Sequence, residues 1–116
     1  MITPEEAADR TEAQWLARSQ EGLPGMYTCG WCAFAEGLRE RFGGPESGVC
    51  PYYCPVMAVI GVRCGNLPEL DNWFAAGTQN MRDAALEVYE LAVRMRGDLV
   101  VAAYDILEGV VDTNAD

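Results

Sequence analysis

The sequence predicts a mainly α-helical, small single-domain protein with a cysteine-rich, metal-stapled central segment, and three observations predict it. Apolar residues recur at helical spacing through most of the chain, while no segment sustains the two-residue alternation of a strand. All five cysteines fall in the 36 residues from Cys29 to Cys64. The length, 116 residues, suits one domain (1–116) large enough to bury a core. Within it the reading gives an N-terminal helix over 1–22, a cysteine-rich centre over 29–64, and a long C-terminal helix or helical hairpin over 78–111.

The first helix carries its own start signal. Thr3 suits the cap position, Pro4 the first helical position, and Glu6 stands three residues after Thr3, which makes a capping box. Ala8, Trp15 and Leu16 form its apolar face, and Gly22 to Gly25 reads as a loop. The second helix is expected at or just after Cys29-Gly-Trp-Cys32. Trp31, Phe34, Ala35, Leu38 and Phe42 fall on one face of it, and Gly43-Gly44-Pro45 stops it. A loop over 45–55 carries Cys50 and Cys54. Val56 to Val62 is apolar and β-branched, so its pattern fits a short helix or a strand.

Pro68 to Phe74 reads as another short helical turn. Trp73 and Phe74, as neighbours on a helix, cannot both point squarely inward; the core is favoured for them, with an exposed aromatic anchor as the alternative. Met81, Ala84, Ala85, Val88, Leu91, Ala92 and Met95 then keep helical spacing, and Leu99, Ala102, Ala103, Ile106 and Val110 continue it in phase. Gly97-Asp98 invites a break, but the preserved phase favours one helix over a hairpin.

Composition narrows the function. Eighteen acids face eight arginines, giving a net charge of −10, and lysine and histidine are absent. Direct nucleic-acid binding needs a basic face that this chain does not supply. An acidic surface promotes solubility and favours encounter with a basic partner, such as a nucleic-acid-binding protein. Without histidine there is no Ser-His-Asp or Cys-His pair, and no Gly-Lys-Ser/Thr phosphate loop occurs, so a non-enzymatic role is expected. No apolar run reaches the roughly 18 residues of a membrane span. The acidic N-terminus is unlike a secretory signal, so the cytoplasm is the expected location. An odd number of cysteines in that reducing compartment argues against a disulfide framework.

The cysteines carry the clearest chemistry. Two thiolates three residues apart chelate a metal from one short segment, and a second pair about twenty residues on completes a tetrahedral shell. Cys29, Cys32, Cys50, Cys54 and Cys64 are therefore candidate zinc ligands, four of the five serving. Cys29, Cys32 and Cys54 are expected in the shell, with Cys50 or Cys64 as the fourth. An iron–sulfur cluster, thiol redox chemistry at Cys29-Gly-Trp-Cys32, and plain burial of some thiols are the alternatives.

The order of CxxC, a spaced pair ending Cys54-Pro55-Val56, and Cys64 before Pro68 resembles a scattered group of small phage and prophage proteins. Those carry a CxxC, a CxxCP and a later cysteine before a threonine-proline-tyrosine turn and a long C-terminal helix. The resemblance covers roughly residues 29–95. It implies a viral or mobile-element origin, with a host cytoplasm as the setting, and no enzymatic activity. This chain differs in its C-x3-C spacing and in Leu67-Pro68-Glu69 at the turn.

For partner binding, Asp83, Glu87 and Glu90 fall at i, i+4 and i+7 of the long helix, opposite the Met81–Val88–Met95 stripe. They are the candidate contact for a basic protein. A structural or assembly role as a homodimer through the long helix is the competing reading.

Overall fold

The computed structural model describes residues 2–21, 29–43, 53–62, 66–76 and 80–114, apart from the side chains of 21 and 110–114. Five helices are described: α1 (Pro4–Glu21), α2 (Gly30–Phe42), α3 (Pro55–Ile60), α4 (Pro68–Ala75) and α5 (Met81–Asn114). No strand occurs among the described residues; of the ambiguous 56–62 segment, residues 56–60 are helix and Gly61-Val62 bends away after them. The sequence-expected loops around 22–25 and 45–52, with Cys50 and Cys64, lie outside the described residues.

Local chemistry accounts for the ends. The Glu6 amide donates to Thr3 Oγ1 at 3.1 Å and the Thr3 amide to Glu6 Oε1 at 3.4 Å, the two arms of the expected capping box. Pro55 and Pro68 open α3 and α4, where a missing amide hydrogen costs nothing. Gly43 (φ 80°) and Gly61 (φ 86°) close α2 and α3 in backbone conformations that disfavour a side chain.

Helix α5 is the spine. Its 34 residues span about 51 Å at 1.5 Å per residue, which accounts for the 53 Å long dimension of the molecule. It runs unbroken through Gly97, so the hairpin alternative does not hold. The apolar phase on both sides of Gly97 is held by neighbours, and that outweighs the roughly 1 kcal/mol a mid-helix glycine costs. Along α5 packs α1, most extensively, with α3 and α4 on it as well; α2 is held mainly by α1. Helix α1 runs antiparallel to α5, since Glu5 meets Tyr104 while Glu12, further along α1, meets Arg96.

The core assembles largely from the predicted faces, with Ala7 added and Leu16, Phe42, Leu91, Ala92, Met95 and Ile106 only half-buried. Ala7, Ala8 and Trp15 of α1, Trp31, Phe34, Ala35 and Leu38 of α2, and Ala84, Ala85, Val88, Leu99 and Ala103 of α5 are all buried. Trp73 is buried and Phe74 is 55% exposed, so the aromatic pair divides, one ring inward and one outward. Trp73 meets Trp15 edge-to-face at 5.0 Å, and the Arg18 guanidinium lies 4.5 Å over the Trp15 ring. Among the described residues no helix is long and apolar enough to cross a membrane.

Candidate functional site

The Cys29-Gly-Trp-Cys32 segment does not precede α2; the helix begins inside it. Cys29 is the N-cap, in extended conformation, and its carbonyl accepts the Ala33 amide at 3.2 Å. Cys29 is buried and Cys32 half-buried, and their sulfurs stand 3.7 Å apart. That separation is longer than the roughly 2.05 Å of a disulfide. It matches the edge of a tetrahedral zinc–thiolate site, about 3.8 Å for Zn–S bonds of about 2.3 Å.

The residues between the two cysteines serve the fold. Trp31 is in the core and meets Phe34 edge-to-face. Gly30 is buried where α1 crosses α2: a Cβ there would lie 2.0 Å from the Ala7 carbonyl oxygen and 2.8 Å from Thr11 Oγ1. The motif is thus also a helix-crossing device, a role its cysteine spacing conceals.

Cys54 is buried at the N-cap of α3. Among the described residues, no group of three cysteine, aspartate or glutamate side chains stands close enough to hold a metal ion. The structure therefore brings together Cys29 and Cys32, and does not bring Cys54 to them as a third described ligand. Cys29 faces an apolar cavity of about 50 Å³, also lined by Trp15, Trp31, Val56, Leu70 and Leu99.

The second candidate surface is on α5. Asp83, Glu87 and Glu90 are all exposed, on the side of the helix away from buried Val88, as the sequence phase requires. They do more than line one helix face. Glu87 and Glu90 share a polar cleft with Glu69 and Asn72 of α4, and Asp83 and Glu87 border the next cleft along.

A third set of polar contacts was not anticipated from sequence. Arg96 bridges Asp9, at 2.8 Å, and Glu12 of α1. Hydrogen bonding to Asp9, joined by Glu12, raises its pKa still further and keeps it charged. The Tyr104 hydroxyl donates to the Glu5 carboxylate, 2.7 and 2.8 Å from its two oxygens, and this bond raises the phenol pKa above 10. Both tie α1 to α5 across more than eighty residues of sequence. No local pattern marks such partners.

No family model, curated protein or solved structure matches this chain.

Proposed function

We propose that the protein is a non-enzymatic, acidic interaction module that binds a basic protein partner, with a cysteine centre closed by zinc. The observation that carries this reading is the joint exposure of Asp83, Glu87 and Glu90 on one side of α5, in a chain of net charge −10. The three acids outweigh Arg94, which lies among them, so the net negative potential would steer a cationic surface toward the helix, and a nucleic-acid-binding protein is the partner whose groove such a face would cover. In a viral or mobile-element setting that partner would belong to the host.

The zinc part rests on the 3.7 Å Cys29–Cys32 separation, which fits two thiolates on one tetrahedral ion. Cys29 and Cys32 would supply half of the shell, with the remaining ligands drawn from Cys50, Cys54 and Cys64. A bound zinc would supply folding free energy, joining the start of α2 to the segment that leads into α3.

The test measures association with protamine, an arginine-rich probe, across a salt series. Asp83→Lys/Glu87→Lys/Glu90→Lys should retain the circular dichroism spectrum, slow association and flatten the salt dependence. Glu40→Lys/Asp71→Lys, at exposed positions on α2 and α4, controls for net charge. An equal effect per reversed charge in both variants would remove α5 as the contact face.

A further inference from the structure

Helix α5 buries one face against the body yet carries apolar residues on a second. Leu86 is 41% exposed, Val93 45%, Val101 63% and Tyr104 41%. Singly exposed apolar side chains are ordinary, but these four share one ridge. At about 100° per residue they fall within roughly 80° of arc, with Gly97 between them, over about 27 Å of helix. A Cβ on Gly97 would meet nothing within 4 Å, so the middle of the ridge is low and open.

Acids border the ridge on both sides. Glu87, Asp98 and Asp105, all exposed, lie about 100° to 120° around α5 from Leu86. On the other side stand Glu5, Asp9 and Glu12 of α1, placed there by their bonds to Tyr104 and Arg96. Arg96 and the exposed Arg82, about 40° around α5 from Leu86, offset most of that second border, and the exposed Arg94, about 80° from Leu86 on the other side, offsets part of the first. Glu90 and Glu108 are also exposed and lie within the arc of the ridge, Glu90 between Leu86 and Val93 and Glu108 one turn beyond Tyr104.

From this pattern we infer that the ridge Leu86–Val93–Val101–Tyr104 is the docking surface for a basic amphipathic helix of a partner protein, about five turns long. Its apolar stripe would cover the valines and Leu86 while lysines or arginines on both flanks meet the two acidic borders. A second copy of this chain fits poorly, because two such ridges face to face set acid against acid, each copy carrying −10. The inference rests on the basic-partner reading above and gives that partner a shape.

The probe is an 18-residue peptide of leucine and lysine with leucines at helical spacing, compared with a scrambled peptide of the same composition. Fluorescence anisotropy should show the periodic peptide binding at least tenfold tighter than the scrambled one. Val93→Gln/Val101→Gln should abolish that preference and leave scrambled-peptide binding unchanged, with Leu86→Gln as an independent second variant. Both valines are exposed, so an unaltered melting temperature confirms that the fold survives. Equal binding of the two peptides, both weakened by the Asp83/Glu87/Glu90 reversal, would overturn the docking ridge and leave the basic-partner reading standing. Binding of neither peptide would overturn the ridge, and the protamine assay then decides the broader reading separately. A native protein that is dimeric by light scattering, with the valine variant monomeric, would assign the ridge to a second copy and overturn the inference.

Discussion

Replacing Gly30 with alanine adds one methyl group where α1 and α2 cross closely. The new Cβ would lie 2.0 Å from the Ala7 carbonyl oxygen and 2.9 Å from the Ala7 carbonyl carbon. Ordinary contact needs about 3.4 Å, so α1 and α2 must part by more than about 1 Å at a point where the obstacle is backbone and cannot rotate away. A gap of that size forfeits about half of the dispersion contacts of Gly30 with Ala7 and Thr11. The expected loss is about 3 kcal/mol, the upper end of overpacking costs. For a chain of this length that is about 12 °C in melting temperature, read by far-ultraviolet circular dichroism.

Gly97→Ala is the matched control. The same methyl group meets open space in mid-helix, so it should stabilise by about 1 kcal/mol through helix propensity alone. One substitution chemistry thus gives opposite signs at two glycines. A Gly30→Ala protein that melts at or above the wild-type temperature would refute the crossing of α1 and α2 at this position.

Removing the α1 cap by Thr3→Ala should cost about 1 kcal/mol, seen as a melting shift of about 4 °C. Cys29→Ser should lose zinc and thermal stability together; a full zinc complement by elemental analysis with an unchanged melting temperature would refute its place in the shell. The Tyr104 phenol should titrate above 10, and Glu5→Gln should bring it down, followed by phenolate absorbance against a Tyr104→Phe reference. Because the folded-state pKa is raised, the contribution of this bond is complete below pH 10 and fades as pH rises through the folded value.

The helices were legible because their signals are local. Thr3, Pro4 and Glu6 meet within one turn. Trp31, Phe34 and Leu38 repeat at the helical period, as do Ala84, Val88, Leu99 and Ala103, and a residue three or four places away is a neighbour whatever the rest of the chain does. The acidic side of α5 followed from the same phase. The closeness of Cys29 and Cys32 was legible because residues three apart at a helix start are neighbours.

What only the tertiary structure decided depends on partners distant in sequence. Gly30 looked like filler between two cysteines, since an absent Cβ has meaning only against Ala7 of another helix. Trp73 and Phe74 were equivalent until the position of Trp15 showed which ring turns inward. Leu86, Val93, Val101 and Tyr104 were four more apolar residues on a long helix, and only the packing of α1 and α4 around α5 left them uncovered. Periodicity says which residues share a face, because helical geometry is the same in every helix. Which faces are covered depends on where the other helices lie, and that is settled by contacts across the whole chain.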